Sequence, residues 1–428
     1  RPIPSYACYT PPPTCATCGT CEECQGTTCV SVKCADPNDG VTGGDPVVLR
    51  TGDYQLTVRD LVIPGRVLPI EIVRTYRNQS ENASPYGYGW DLNYNIKITK
   101  QSDSTILFLN NGLNNTLSYK RISTSPNTYI SPEGSSDKII EYTDGTFERR
   151  DKHGEKSYFD SSGILQVIED RTGNNIISFA YDTEGRIETI TNDLGRTVTF
   201  AYYSDRWTVT DFSNRTWTYY YGGDNDLQSV TDPNGQTTTY NYSSHNLTSI
   251  TDANGQIWVE NSYDANDKVE TQRHGNPGDI FRFAYNPTSK KTTVTDRRDV
   301  KIATIYNDSG LALSETTFTF NPKLRPSDPN SYATSYVYDK NKNMTIQTLP
   351  RGNSNRYTYD TSAKNVLTRT ITDIGGTLPI KTATFTYDST FNFVHTSKDA
   401  KSNITTYDYN SVNGNLEKIT YPEVNVID

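Results

Sequence analysis

YDTEGRIETITNDLG, starting at Tyr181, is the first of four copies of one pattern that continues to Gly255. The other copies read YSDRWTVTDFSN from Tyr203, YGGDNDLQSVTDPNG from Tyr221 and YSSHNLTSITDANG from Tyr242. Each has an aromatic residue, a polar turn, an apolar residue, a β-branched residue followed by Thr or Asp, and a second turn. A fixed period of this kind predicts an array whose units bury their apolar faces only against their neighbours.

The period of the array is short. Most steps between equivalent aromatic residues are 19 to 22 residues, and two longer steps predict loop insertions at roughly 317–331 and 374–382. Each unit carries two turn signals, so it is too short for a strand and a helix and predicts one β-hairpin. The aromatic positions taken as repeat markers include Tyr181, Tyr202, Tyr221, Tyr242, Tyr263, Tyr285, Tyr338, Tyr359, Tyr387 and Tyr409.

Those tyrosines are predicted to stack across neighbouring hairpins and so build the sheet. The alternative is that they face solvent and bind glycan by stacking on sugar rings. One spacing does not fit the strict alternation of buried and exposed residues in a strand. The apolar pairs Ile187 with Ile190 and Leu247 with Ile250 are three residues apart. We interpret that spacing as a β-bulge.

The turns have their own signature. DPNG from Asp232 to Gly235 and DANG from Asp252 to Gly255 supply Asp to start a turn and Gly for a position with positive φ. Gly195 ends an equivalent turn. Calcium loops are the alternative, but no complete EF-hand sequence is present, so turn chemistry is the favoured interpretation.

Two stretches carry a family resemblance. Residues 181–192 follow Y-D-x-x-G-x-[IL]-x-x-[IV]-T-[DN], and Tyr-Asp recurs in later copies. Gly44–Asn78, with GDPVVLRTGDYQLTVRDLVIPGRV, and YGYGWDLNYN from Tyr86 resemble the β-rich domain that precedes the repeats of RHS proteins. The repeats resemble the YD repeats of that family, which also occur in the shells of insecticidal toxin complexes and in teneurins. The resemblance covers roughly residues 44–428 and implies an all-β fold in which a spiral sheet wraps a hollow.

Composition excludes several classes of function. The chain has a net charge of −9 and a pI near 5.1, with no basic cluster, which argues against nucleic acid and anionic membranes as partners. No apolar run is long enough to span a bilayer. A low mean hydropathy of −0.70 would suggest disorder, but 31 tyrosines supply packing surface.

All seven cysteines fall in the first 34 residues: Cys8, Cys15, Cys18, Cys21, Cys24, Cys29 and Cys34. So dense a cluster predicts a disulfide knot and an extracellular or cell-surface location. The alternative is a metal site, since the C-x-x-C run is similar to that of bacterial ferredoxins, but the final spacing and the following proline are missing. An odd count leaves one thiol free or paired with another chain.

The resulting domain prediction has four parts: a cysteine knot over 1–35, a linker over 36–45, a β-domain over 46–140 and the repeat array over 141–428. Trp90 is the expected centre of the β-domain core. Because the chain starts at Arg1 without Met, we expect a processed N-terminus or an excerpt of a longer protein.

The sequence offers little catalytic chemistry. Its four histidines lie in separate units, and His153 and His245 are interpreted as turn residues. No nucleophile elbow, zinc-protease motif or phosphate loop occurs, and no stretch resembles the self-cleaving motif that ends longer RHS shells. We therefore expect no enzyme activity and no cofactor.

The functional expectation is a structural protein. Roughly 22 strands at ~4.8 Å each give a sheet ~105 Å wide, or a ring ~34 Å across. The array would form part of an encapsulating shell, or would join end to end with copies of itself as an extracellular filament through an open sheet edge. A cell-surface adhesin that binds glycan through exposed tyrosines is the alternative.

Overall fold

The computed structural model describes residues 46–81, 83–101, 104–275, 277–319, 326–327, 329–361, 365–374 and 380–422, and the strand backbones at 22–25, 28–31 and 42–43. The chain divides into two compact units, Arg1–Gly40 and Val41–Asp428. In the first unit, β1 (Glu22–Gln25) pairs antiparallel with β2 (Thr28–Ser31). The described part of the chain has no helix of the length and apolarity that a membrane crossing requires.

The second unit begins with short and long strands that precede the repeats. Its five-stranded sheet has the order β3-β4-β5-β6-β9, and β7 pairs separately with β8. The bounds are β3 (Thr42–Gly43), β4 (Val47–Val48), β5 (Asp53–Ile63), β6 (Ile70–Arg77), β7 (Ala83–Ser84), β8 (Gly87–Tyr88) and β9 (Trp90–Leu92). As expected from its sequence context, Trp90 is fully buried. We call residues 46–95 the cover.

The remaining strands form one antiparallel sheet of 30 strands in which every strand pairs with the next in sequence. The all-β fold with tandem hairpins predicted from the period is therefore confirmed. Its strands are β10 (Ile96–Lys100), β11 (Ile106–Asn111), β12 (Thr116–Thr124), β13 (Asn127–Ile130), β14 (Lys138–Glu141), β15 (Phe147–Arg150), β16 (Lys156–Phe159), β17 (Leu165–Glu169), β18 (Ile176–Tyr181), β19 (Ile187–Asn192), β20 (Thr197–Tyr202), β21 (Arg206–Thr210), β22 (Thr216–Tyr221), β23 (Leu227–Thr231), β24 (Thr237–Ser243), β25 (Asn246–Thr251), β26 (Ile257–Tyr263), β27 (Val269–His274), β28 (Ile280–Asn286), β29 (Lys291–Thr295), β30 (Lys301–Tyr306), β31 (Ala312–Phe318), β32 (Ser331–Tyr338), β33 (Met344–Thr348), β34 (Ser354–Tyr359), β35 (Val366–Thr372), β36 (Lys381–Tyr387), β37 (Val394–Lys398), β38 (Ile404–Tyr409) and β39 (Leu416–Thr420).

The bulge inferred from the three-residue spacing is present in the sheet. Tyr181 pairs with Ile187 while Ala180 pairs with Thr189, so residue 188 has no partner of its own. The extra residue lets both Ile187 and Ile190 turn to the buried face, where they are 2% and 0% exposed. The same shift recurs where Tyr242 pairs with Leu247.

Two boundaries of the sheet can be compared with the sequence. The sheet starts at Ile96. The strands over residues 96–140, which we grouped with the β-domain, therefore belong to the same sheet as the repeat array, and β13 pairs with β14 where the two meet. The two long steps between aromatic residues fall between β31 and β32 and between β35 and β36. The buried residues of the cover and the sheet form one continuous hydrophobic cluster.

Candidate functional site

Turns of the sheet that lie 21 strands apart contact each other. The turn between β15 and β16 contacts the turn between β36 and β37, where His153 Nδ1 lies 3.1 Å from the Phe391 carbonyl oxygen. The turn between β17 and β18 contacts the turn between β38 and β39, where Arg171 Nε donates to the Asn413 carbonyl oxygen at 2.9 Å. We call these contacts the seam.

The seam has the geometry of a spiral. In a sheet whose strands pair in sequence order, turns that follow odd and even strands lie at opposite margins. Each seam contact joins a turn after an odd strand to a turn after an even strand. One margin of the first circuit therefore meets the opposite margin of the second, whereas a closed ring would join strands side by side.

Aromatic and cationic side chains fill the seam. The His153 ring stacks on Phe393 with centroids 5.0 Å apart, and the Arg171 guanidinium lies 5.3 Å from the same ring. Phe391 is 7% exposed and lies against Gly154 and Gly414, which leave room for its ring. His153 is indeed in a turn, but its contact with a residue 238 positions away was not foreseen.

The cover packs on the buried face of the sheet from β19 to β30. Trp90 Nε1 donates to the Tyr242 hydroxyl at 2.9 Å. The Tyr76 hydroxyl donates to the His245 carbonyl at 2.7 Å and accepts from the Leu247 amide at 3.0 Å. Further along, the Val269 amide donates to the Gly52 carbonyl, which extends the contact to β27.

A buried ion pair lies at the centre of this contact. Arg74 is 1% exposed and donates from Nε and Nη2 to the two carboxylate oxygens of Asp60, at 2.5 and 3.0 Å. Its guanidinium lies 4.7 Å from the Trp90 ring centroid and 5.3 Å from that of Tyr219. Both residues belong to the cover, and the sheet contacts them through the Tyr219 hydroxyl, which donates to Asp60 at 3.0 Å, and the Tyr240 hydroxyl, which accepts from Arg74 at 3.3 Å. Because a buried cation needs its carboxylate and its aromatic neighbours, these contacts fix the position of the cover on the sheet.

The repeat tyrosines are anchored through their hydroxyls. In most repeats the hydroxyl donates to a backbone carbonyl of an earlier strand, for example Tyr242 to Leu227 at 3.0 Å. The other pairs of this kind are Tyr181 with Leu165, Tyr202 with Ile187, Tyr263 with Leu247, Tyr285 with Val269, Tyr359 with Met344, Tyr387 with Val366 and Tyr409 with Val394. Tyr221 donates instead to Pro85 of the cover.

Tyr338 occupies the same bulged position, opposite Met344. All ten repeat tyrosines are half-buried. Within the described ranges, no ring pair joins one repeat tyrosine to the next. We expected the tyrosine rings to stack between repeats. Instead, most of their hydroxyls donate hydrogen bonds to the backbone.

The turns show how aspartate and glycine act together. The Asp232 carboxylate accepts from the amides of Asn234 and Gln236, both at 2.8 Å, and Gly235 has a φ of 79°. Asp252 and Gly255 repeat this arrangement, and Gly195, with a φ of 71°, closes a turn in which Asn192 takes the part of Asp. The carboxylate oxygens are used by turn amides, which accounts for aspartate at these positions.

One group of side chains has the donor atoms for a divalent cation. Ligand atoms of Asp224, Asp226 and His245 lie within 4.8 Å of one another. His245 Nδ1 is 2.9 Å from Asp226 Oδ1, and the imidazole stacks on Tyr88 of the cover with centroids 3.8 Å apart. Burial raises the pKa of Asp226. His245 has a φ of 65° in the turn between β24 and β25, so its interpretation as a turn residue agrees with its backbone.

The predicted cysteine knot lies outside the described residues. Cys8, Cys15, Cys18, Cys21 and Cys34 are not described. Cys24 and Cys29 are backbone partners across β1 and β2, and their side chains are not described. The disulfide prediction therefore stays a prediction.

Comparison with known proteins gives two family matches. Residues 44–117 match a domain of unknown function, DUF6531, and residues 220–257 match the RHS repeat. The search of curated proteins found no match.

Solved structures of toxin-complex proteins are similar to this chain. The TcdB2–TccC3 crystal structure is 11% identical, covers 85% of this chain and 22% of its own, and has a TM-score of 0.36. The Photorhabdus luminescens Tc holotoxin pore is 12% identical, with 85% and 21% covered and a TM-score of 0.36. This chain thus spans about a fifth of the length of those proteins.

Proposed function

We propose that this chain, an RHS-repeat protein built on a structural β-hairpin array, is a wall segment of a hollow extracellular shell. The observation that carries the proposal is the seam, where opposite margins of the sheet meet after 21 strands. A spiral of this kind can be lengthened by adding strands at its end, and each further circuit deepens the enclosed space. A closed ring has no such edge.

The dimensions support a wall better than a complete container. One circuit of 21 strands, at ~4.8 Å per strand, has a perimeter of ~100 Å and a diameter of ~32 Å. Side chains and the cover take up part of that width. The space that remains suits an unfolded segment, and further circuits of the same diameter would lengthen that space without widening it.

A self-assembling filament is the second candidate, and one observation favours it. All five residues of the last strand, β39, are exposed, and Leu416, Ile419 and Tyr421 are large apolar side chains at or beside that edge. An unpaired edge can accept a strand from another copy of the chain. The adhesin alternative has less support, because the repeat tyrosines are half-buried and their hydroxyls bond to backbone.

Sedimentation velocity and negative-stain electron microscopy at micromolar concentration separate these functions. A wall segment predicts one monodisperse 48.0 kDa species whose images show a curled body with an uncovered opening. A filament predicts concentration-dependent growth. Images of a solid particle without an opening would contradict the shell proposal.

Secretion is the localisation that the cysteine cluster supports. We expect three disulfides among the seven cysteines, with one thiol left free or paired with another chain. Intact mass spectrometry without reductant should show the loss of two hydrogens per disulfide. Stoichiometric zinc or iron in elemental analysis would support the metal-site alternative and count against an oxidising location.

A further inference from the structure

A small cavity lies between the cover and strands β28–β30, apart from the seam. Its volume is about 200 Å³. Arg50 lines it from the cover, Lys268 from the turn before β27, Lys290 from the turn before β29, and Lys291 from the start of β29. The cavity thus collects cations from three separate parts of the chain.

Three of these four cations lack a carboxylate partner. The fourth, Lys290, pairs with Asp308, which also lines the cavity and whose side chain is 91% exposed. Within the described ranges, Arg50, Lys268 and Lys291 have no Asp or Glu oxygen within 4.0 Å. Like charges held together raise the free energy of the folded chain unless an anion joins them. The arrangement is more unusual because the whole chain carries a net charge of −9.

A buried tyrosine hydroxyl lies beside the cavity. Tyr306 lines the cavity and is 3% exposed. Its hydroxyl lies near the Thr292 and Thr304 side chains but makes no hydrogen bond of normal geometry among the described residues. An unsatisfied buried polar group costs about 1–3 kcal/mol, so such groups are commonly satisfied by a ligand or water. Burial raises the pKa of Tyr306 to about 12, so the hydroxyl is a hydrogen-bond donor at neutral pH.

We propose that this cavity binds a small oxyanion, meaning a carboxylate or phosphate group carried by a small molecule. Arg50 and Lys291 would supply charge-assisted hydrogen bonds, and Tyr306 would donate a neutral one. Lys268 is held over the Tyr285 ring, with Nζ 5.3 Å from the centroid, which keeps its charge at the rim. All residues of the site belong to the unit Val41–Asp428. Anion binding there does not depend on whether the protein forms a shell.

The size of the cavity limits the ligand. At about 200 Å³ it is smaller than the ~300 Å³ at which drug-sized pockets begin. It therefore suits one acidic group on a body no larger than a monosaccharide. Because Arg50 belongs to the cover and the lysines belong to the repeats, a bound anion would also strengthen the contact between them.

Isothermal titration calorimetry at fixed ionic strength tests the site with inorganic phosphate, acetate and glucuronate as probes. We expect saturable binding of at least one probe with a stoichiometry of one. Phosphate binding without glucuronate binding identifies a phosphate site, and tighter binding of glucuronate identifies an acidic sugar. Lys291→Gln should weaken binding about tenfold or more, and Tyr306→Phe about fivefold.

Lys301→Gln is the matched control, because Lys301 is exposed on β30 and does not line the cavity. It should leave affinity unchanged. Lys291→Arg keeps the charge and should retain binding, which separates loss of the anion contact from loss of folding. The proposal is overturned if none of the three probes binds saturably, or if Lys301→Gln weakens binding as much as Lys291→Gln does.

Discussion

The strands beneath the cover and the strands beyond it carry the same repeat but different burial. In β23, β25 and β27, the residues opposite the repeat tyrosines are Leu227, Leu247 and Val269, and each is 0% exposed. In β39 the equivalent residue, Leu416, is 48% exposed. A hairpin repeat therefore shapes the sheet by itself, but a second layer is needed to make its apolar face a core.

Some repeats of the two regions also differ in sequence at one position. The residue that follows the bulge on the buried face is Ile190 in β19 and Ile250 in β25, which are 0% and 2% exposed. The equivalent residues beyond the cover are Gln347 in β33 and Arg369 in β35. Two strands do not follow this difference: Gln272 in β27 is polar and 0% exposed beneath the cover, and Ile419 in β39 is apolar beyond it.

The largest effect is expected from the buried cation of the cover. Arg74→Ala leaves Asp60 buried without its partner, so the free energy of unfolding should fall by about 3–5 kcal/mol. Arg298→Ala is the control, since Arg298 pairs with Asp296 at 3.4 Å and its side chain is 75% exposed. The control should change stability by less than about 1 kcal/mol.

Chemical denaturation measures both variants. A double variant, Arg74→Met with Asp60→Leu, should lose less stability than Arg74→Met alone, because it leaves no unpaired charge. Equal losses in Arg74→Ala and Arg298→Ala would show that the cover is not held by this pair.

A matched pair of leucines tests the two regions directly. Leu247→Ala removes a fully buried side chain beneath the cover and should lower the free energy of unfolding by about 2–5 kcal/mol. Leu416→Ala makes the same change at the equivalent repeat position, where 48% of the residue is exposed, and should cost less than about 1 kcal/mol. Equal losses in urea unfolding would mean that a partner layer covers both.

The turns at Gly255 and Ser402 should respond to the same rule in both regions, because both residues are exposed. Gly255 has a φ of 78° and open space around it, so Gly255→Val should cost about 1–2 kcal/mol through backbone strain alone. Ser402 holds the same turn position beyond the cover with a φ of 72°. Ser402→Gly should raise stability by roughly 0.5–1 kcal/mol. Melting temperatures that do not move in opposite directions would contradict the turn assignment.

Alkaline titration should distinguish the tyrosines of the two regions. Burial raises the pKa of Tyr242 well above its ordinary value of 10.0 and that of Tyr359 only to about 12. Because the neutral phenol is favoured in the folded state, this stabilisation is complete below pH ~10 and is lost as pH rises through the folded-state pKa.

Tyrosinate absorbance and circular dichroism, followed together, measure this difference. Tyrosines beyond the cover should ionise first, while the sheet remains folded. Those beneath the cover should ionise in a later step that coincides with unfolding. A single ionisation step near pH ~10 with native circular dichroism throughout would show that the cover does not bury them.

Local sequence determined the hairpins, the bulges and the turns, because each depends on a few neighbouring residues. Ile187 and Gly195 show this, since spacing alone indicated their roles, whereas the hydroxyl bond of Tyr181 to the Leu165 carbonyl was not predicted. The seam between His153 and Phe391 could not be predicted, because it depends on how much twist accumulates over 21 strands, and the repeat period does not specify that twist. The cation cavity was missed for a similar reason, as Arg50 and Lys291 are far apart in the chain.

Hydrogen–deuterium exchange of the monomeric chain, read by mass spectrometry, tests most directly whether residues 46–95 divide the array into two regions. We expect amides of β19–β30 to exchange at least about tenfold more slowly than those of β33–β38, with β39 fastest because, among the described strands, it pairs only with β38. Arg74→Ala should remove the protection of β19–β30 and leave that of β33–β38 unchanged. Uniform protection along all of these strands in the monomer would show that residues 46–95 do not divide the array into two regions.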